Sequence, residues 1–353
     1  MWFLRTARIS YNPLMGVTLK DIASQTQLSI RSVSRILNLN EGEMFRPETR
    51  NKVIAAAKQL GYRPNTMARG MRAGRRSAIG LLLSTDAQRS VVPFGTLVGL
   101  ERYLSRQDLQ LIVGEVPDED LSDDAYVPRL LREWSTDGML IAYTQHIPDR
   151  VMALLQASSV PYEWLNAKVG HDCVFPDDFG AAAAATEHLL RLGHRRIEYL
   201  YHVPNAHYSR GDRRAGYAAA MEAAGLPAIV HDAVPAGRSV TSLDLRPLLA
   251  RSDGRATAYV AGSATDARAA YVAALRLGLD VPRDLSIAGI VDDGRELDLG
   301  GMELTAMDWP REALGEQAAR MVVDKVASPD QVQPCKAVAF NLIAGGSTAA
   351  PNG

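Results

Sequence analysis

From Ser77 onward the chain alternates short apolar runs with amphipathic stretches, and that alternation leaves few folds open. The runs at 79–83, 109–113, 139–142, 197–200, 257–260 and 285–290 carry no polar face, the pattern of strands buried on both sides of a parallel sheet. Between them, 97–104, 181–192 and 215–224 repeat apolar residues at helical spacing. Strands alternating with helices make an α/β doubly wound fold. The units are too many for one compact sheet, so the body is predicted as two similar halves that part near 166–175. The alanine run at 181–185 reads as helix, because alanine is the best helix former.

Ahead of this body lies a different texture. Thr18 and Asp21 have the spacing of a capping box, which predicts a helix over 19–25 with Leu19, Ile22 and Ala23 inward. Ser29 caps a second helix over 30–38 whose inward stripe is Val33, Ile36 and Leu37. That stripe leaves Ile30 outside. Pro47 suits a helix start, Val53, Ala56, Ala57 and Leu60 share one face of a third helix, and Gly61 ends it. Three short helices with a tight first turn read as a helix-turn-helix at 15–62. The linker at 63–76 clusters arginines and holds one short helical stretch near 65–72. Residues 1–14 show no period and read as an extension, either disordered or ahead of the native start. The body spans 77–345, and 346–353 reads as a polar tail.

The formal charge of -1 conceals an asymmetry: residues 15–76 carry +8, whereas 77–353 carry -11. A basic head on an acidic body is the electrostatic footprint of a nucleic-acid binder with a separate partner domain. No apolar run approaches the length of a membrane span, and the first residues lack a secretory signal, so a cytoplasmic, nucleoid-associated location is expected. Cys173 and Cys335 show neither metal-ligand spacing nor a disulfide framework and read as two core thiols. No Ser/His/Asp, paired-carboxylate or metal-ligand constellation stands out, so no catalytic residue, metal or cofactor is expected. His188 and His194 belong to a helix-end motif and read as structural.

These residues resemble the lactose-repressor family of bacterial transcription regulators. The head carries Val17-Thr18-Leu19-Lys20-Asp21-Ile22-Ala23, then Ser29-Ile30-Arg31-Ser32-Val33-Ser34-Arg35-Ile36-Leu37-Asn38, then Leu60-Gly61-Tyr62-Arg63-Pro64-Asn65 with Ala68-Arg69. The body adds His188-Leu189, Leu192-Gly193-His194-Arg195-Arg196-Ile197, Arg213-Arg214-Ala215-Gly216-Tyr217 and Gly278-Leu279-Asp280-Val281-Pro282. The resemblance implies an all-α helix-turn-helix head on an α/β, periplasmic-binding-protein-like sensor of two doubly wound subdomains. It departs from the family in four places. Gln27 stands at a turn position usually held by glycine, and Met71 replaces the usual hinge leucine. Ser263-Ala264 stand where an Asn-Asp pair normally binds effector, and 289–293 is a shifted version of a Gly-aromatic-Asp-Asp motif.

The implied function is a sequence-specific repressor, a homodimer on a palindromic double-stranded DNA operator, controlled by a small-molecule effector of the sugar class. The recognition helix presents Ile30, Arg31 and Arg35 to base edges, while Ser29, Ser32 and Ser34 suit phosphates. Position-matching adds Thr18, Leu19, Asn38, Asn65, Ala68 and Arg69, with Met71 as a minor-groove wedge. Effector candidates are Phe94, Asn166, Arg213, Ser263 and Asp292 or its neighbour Asp293, in a crevice at strand C-terminal ends. Trp164 is a further aromatic candidate. A solute-binding protein or an enzyme on the same sensor fold are the competing readings.

Overall fold

The computed structural model describes residues 17–37, 45–62, 76–86, 89–122, 128, 136–202, 206–231, 244–250, 255–292 and 298–352. Residues 1–14, Asn38, the hinge positions Asn65, Ala68, Arg69 and Met71, and Asp293 lie outside them. The chain divides into two compact units, Met1–Gly74 and Arg75–Gly353.

The first unit holds α1 (Leu19–Thr26), α2 (Ile30–Leu37) and α3 (Pro47–Leu60). The Asp21 carboxylate accepts from the Thr18 backbone N–H at 2.8 Å and from its hydroxyl at 2.7 Å, which fixes the start of α1. Ile22, Ala23, Val33, Ile36, Val53, Ala56 and Ala57 close a small core, with Leu19, Leu28, Leu37, Phe45, Leu60 and Tyr62 packed around it. Pro47 opens α3, and Gly61 ends it in the left-handed region at φ 69°. The turn between α1 and α2 is made by Gln27 at φ 59°, ψ 35°. The backbone thus keeps the geometry that favours glycine, and a side chain occupies it at a steric cost.

The second unit contains two six-stranded sheets. The first has the order β11-β5-β4-β3-β1-β2, built from β1 (Ala78–Ser84), β2 (Gln110–Val116), β3 (Gly138–Ile141), β4 (Tyr162–Leu165), β5 (Cys173–Pro176) and β11 (Lys336–Val338), all parallel. The second has the order β12-β10-β9-β8-β6-β7, from β6 (Ile197–Leu200), β7 (Ile229–His231), β8 (Ala258–Ala261), β9 (Ser286–Val291), β10 (Thr305–Asp308) and β12 (Asn341–Ile343). Only β12 in this sheet runs antiparallel to its neighbour.

The described helices of this unit are α4 (Phe94–Arg106), α5 (Asp149–Ala157), α6 (Asp178–Arg191), α7 (Tyr208–Ala223), α8 (Arg246–Leu249), α9 (Ala264–Arg276) and α10 (Arg311–Ala327). The chain crosses from the first lobe to the second between β5 and α6. It returns between β10 and α10, because α10 packs on α4 and on β3, β4 and β5. It crosses a third time between β11 and β12. The α4–α10 contact is glycine-dependent: a Cβ on Gly99 would run into the Glu312 carbonyl, and one on Gly315 into that of Thr96.

Two expectations are corrected. Cys173 and Cys335 form a disulfide with Cα atoms 4.8 Å apart, because β11 returns from 162 residues downstream to lie beside β5. A spacing argument along the chain does not see that pairing. The terminal segment is folded in. The Ser347 hydroxyl donates to the Ile287 carbonyl at 2.6 Å and accepts from the Thr305 N–H at 2.8 Å, and Ser347 is wholly buried. His194 bonds Thr257, Ser286 and the Ala349 carbonyl, which makes it structural, and His188 bonds Thr348.

Beside the disulfide, Asp172 accepts from Lys325 Nζ at 3.0 Å and from the Gln333 N–H at 2.7 Å. Glu163 on β4 is fully buried nearby, and neither carboxyl oxygen has a hydrogen-bond partner. Burial, reinforced by Asp172 and opposed by Lys325, pushes its pKa up to about 8. The native state therefore holds a proton that the unfolded chain releases above its ordinary value of 4.5. Stability is fully present below that value and declines as pH rises toward 8.

Glu163→Gln, which mimics the protonated carboxyl, is expected to match the parent at pH 4 and to melt roughly 2–4 °C higher at pH 9. Calorimetry at both pH values checks this, and an equal difference at both excludes a titration at Glu163. In the head, Gln27→Gly is expected to be neutral or stabilising by up to about 1 kcal/mol, and Gln27→Val destabilising by about 1–2 kcal/mol. Thermal unfolding of the three proteins decides; a destabilised glycine variant contradicts the left-handed turn.

Candidate functional site

The head offers one face. Ser29, at the start of α2, accepts from the Ser32 N–H at 3.0 Å, which satisfies one of the free donors of the helix start. Ser29, Ile30 and Arg31 are exposed there, Ile30 by 48% although apolar, while Val33 and Ile36 point into the core. Ser32, Ser34 and Arg35 are half-buried, and the Arg35 guanidinium lies 5.9 Å from the centre of the Phe45 ring. Thr18 is exposed at the mouth of α1, whereas Leu19 packs against the head core. The N-terminal turn of α2 thus presents an apolar side chain, a guanidinium and hydroxyls together.

The second unit has a cavity of about 160 Å³ between its two sheets. Val91, Thr144, Gln145, Asn166 and Pro176 line it from the first lobe, and Asp178, His207, Ser209, Arg213, Asp292 and Trp309 from the second. Thr144 and Gln145 follow β3, Asn166 follows β4, Asp292 follows β9 and Trp309 follows β10. The cavity therefore sits at the carboxyl ends of parallel strands, where open α/β sheets place ligands.

Arg213, on α7, is buried and organises the second-lobe wall. Its Nε donates to Asp178 at 2.7 Å, one terminal nitrogen to the Gly262 carbonyl at 2.7 Å, and the other to Asp292 at 2.8 Å. Burial opposes its charge, but Asp292 and Asp178 overcome that and raise its pKa above the ordinary value. His207 caps α7 and reaches the other lobe, with Nε2 donating to the Asn166 carbonyl at 3.0 Å. A carbonyl only accepts, so this bond fixes the tautomer, and Nδ1 accepts from the Ser209 hydroxyl at 2.8 Å. Burial holds the imidazole below its ordinary pKa, against the Asn166 carbonyl and Asp178. Asn166 turns the chain at φ 57°, a conformation asparagine tolerates. Lys168 pairs with Asp212 at 2.8 Å, and the Ala206 N–H donates to Gln145 at 2.9 Å, so the lobes are joined by several bonds beside the cavity.

Of the effector candidates read from sequence, Asn166, Arg213 and Asp292 come together in this cavity. Ser263 does not line it; its hydroxyl accepts from the Asp266 N–H at 3.1 Å and donates to the Asp266 carboxylate at 2.6 Å, capping α9. Phe94 is 80% exposed in the first turn of α4, outside the lining. Trp164 is buried in the first-lobe core, edge-on to Tyr162. Sequence reasoning missed Trp309, Asp178 and His207. The signal for Trp309 was present as an aromatic between Asp308, the last residue of β10, and Pro310, at a strand-to-helix corner.

The cluster of Ser263, Asp266 and His202 is not a nucleophilic relay. The Ser263 hydroxyl and His202 Nδ1 both donate to Asp266, which lies between them. Among the described residues no group of three or more His, Cys, Asp and Glu could hold a metal, and no helix is long and apolar enough to cross a membrane.

Two family models match the chain: "Bacterial regulatory proteins, lacI family" over residues 18–65, and "Periplasmic binding protein-like domain" over 186–348. The HTH-type transcriptional repressor PurR of Klebsiella pneumoniae (strain 342) is 28% identical over 325 residues, covering 88% of this chain and 91% of the repressor. A LacI family transcriptional regulator from Mycobacterium smegmatis superposes with a TM-score of 0.59 at 28% identity, over 78% of this chain and all of that one. The lac repressor dimer, bound to operator and the anti-inducer ONPF, shares the fold with a TM-score of 0.67 at 20% identity, over 95% of this chain and 100% of that one.

Arg213→Ala leaves Asp178 buried without its cation. That variant is expected to lose about 3–5 kcal/mol of sensor stability, the scale for breaking a buried pair. Denaturant unfolding measures it; a loss below about 1 kcal/mol contradicts the clamp.

Proposed function

We propose that the chain is a DNA-binding transcription regulator of the lacI type, with its work divided between its two units. The N-terminal turn of α2 reads the operator in the major groove, with Arg31 bonding guanine O6 and N7 and Ile30 packing on a thymine methyl. Ser29, Ser32, Ser34, Arg35 and Thr18 contact or flank the phosphates that set register. The observation that carries this reading is the outward Ile30 beside Arg31, since an apolar side chain 48% exposed on a helix with a complete inward stripe needs a partner.

The regulator acts as a homodimer on a palindrome in the cytoplasm and represses, as PurR does by name. Its hinge residues Asn65, Ala68, Arg69 and Met71 enter the minor groove. The sensor binds a small polar effector, a saccharide or sugar derivative, in the cavity lined by Asn166, Arg213 and Asp292. Nine of the eleven lining side chains offer hydrogen bonds, which suits a ligand with polar groups on every edge. The chain is a regulator and not an enzyme.

Selection of operator sites from a random duplex pool by the purified chain tests the head. The selected site is expected to be palindromic, and its affinity to fall steeply between 50 and about 200 mM salt. Arg31→Ala is expected to cost about 1–3 kcal/mol and to relax preference at one base pair per half-site. Equal weakening on every operator variant instead makes Arg31 a phosphate contact.

A further inference from the structure

Trp309 is buried, lines the cavity, and its indole N–H has no hydrogen-bond partner. A buried donor left unsatisfied is costly and calls for an explanation, and of the unpartnered buried atoms among the described residues that of Trp309 lines the cavity. Its backbone is firmly held: its N–H donates to the Val291 carbonyl at 3.1 Å, and its carbonyl accepts from the Arg311 N–H at 2.8 Å. This strand-to-helix corner is also the second crossover, between β10 of one lobe and α10 on the other.

The remaining lining sets the charge of what can enter. Asp178 and Asp292 are both carboxylates, and Arg213 is the one arginine or lysine in the lining. Its guanidinium is already bonded to both carboxylates and to the Gly262 carbonyl. Burial holds His207 below its ordinary pKa, and its Nε2 donor is already spent on the Asn166 carbonyl. Among the described residues the lining thus holds two carboxyl groups and one cation already bonded to both, so a phosphate or carboxylate meets no free cation among them. The Asp292 side chain is 58% exposed and retains lone pairs for a ligand donor. The volume of about 160 Å³ matches a single six-membered ring, since an apolar cavity of about 150 Å³ holds benzene. The Trp309 indole and the His207 imidazole are the two flat rings among the described lining residues.

We propose that the cleft takes an uncharged, single-ring polyol that accepts a hydrogen bond from the indole N–H of Trp309 and donates one to Asp292. The proposal rests on the effector reading above and goes further by fixing charge, size and a residue that nothing else assigns. Because Trp309 belongs to the crossover into α10, the ligand is bonded to the segment that joins the lobes.

The test uses the full chain and two compound sets. The first is D-glucose, D-galactose, D-xylose, D-ribose and myo-inositol. The second is glucose 6-phosphate, ribose 5-phosphate, gluconate, hypoxanthine, guanine and cellobiose. At least one member of the first set is expected to raise the melting temperature, and none of the second. In protein labelled with ¹⁵N at tryptophan, that compound is expected to shift the indole N–H signal that Trp309→Phe removes. Trp309→Phe is expected to bind it about tenfold more weakly, the loss of one buried hydrogen bond.

Binding by a second-set compound alone overturns the proposal and leaves the effector reading standing. Binding by a first-set compound with the indole signal unmoved overturns it through Trp309, and this outcome is readable even where the variant folds poorly. No binding by either set overturns it as well. The effector reading is then judged separately, by whether a small-molecule extract of cells releases the chain from its selected operator.

Discussion

The sensor depends on one guanidinium. Arg213 reaches from α7 to Asp178 at the first crossover, to the carbonyl of Gly262 after β8, and to Asp292 after β9. Three loop ends that would otherwise be independent are thereby held in one geometry, and a planar fork is the side chain suited to that. Two carboxylates around one buried cation keep its charge, and the cation keeps Asp178 tolerable in the interior. A residue that reads from sequence as a ligand contact is therefore first a structural clamp. It also fixes the position of Asp292, the more exposed of the two acids.

The chain also shows how a cleft is made from crossings. Pro176 and Asp178 flank the first crossover and Trp309 occupies the second, and all three line the cavity. A ligand that touches them touches the segments that must bend when the lobes move. A ligand shifts such an equilibrium only by binding one arrangement better than the other. Contacts on crossover segments differ between arrangements, whereas contacts on a single rigid lobe do not. The close α4–α10 packing at Gly99 and Gly315 ties the element after the second crossover to the first-lobe helix layer.

Much of this architecture was legible in the sequence. The three head helices follow from cap spacing and apolar stripe, and β1, β3, β6, β8 and β9 each appear as an apolar run within a residue of their observed ends, while β2 runs three residues past its run. What escaped has physical causes. The strands β7, β11 and β12 are three residues long, and β4, β5 and β10 carry Glu163, Pro176 and Asp308 within four residues, so none shows a clean apolar run. Sheet membership of β11 and the pairing of Cys173 with Cys335 depend on a chain return of 162 residues. The burial of Ser347 depends on hydrogen bonds to strands that contact it only in three dimensions. The site was half legible. Asn166, Arg213 and Asp292 match family positions, but Ser263 and Phe94 were carried over by position while their side chains face a helix cap and solvent.

Gln27 and Ser263 depart from the family in different ways, and the difference is instructive. At Gln27 the backbone is unchanged and a costlier residue adopts it, so the head keeps its turn. At Ser263 the side chain has turned inward to Asp266, which in turn fixes His202 through both its N–H and its ring. Ser263 closes an internal network away from the cavity lining, whereas two strands along, after β10, the indole N–H of Trp309 stands in that lining without a partner.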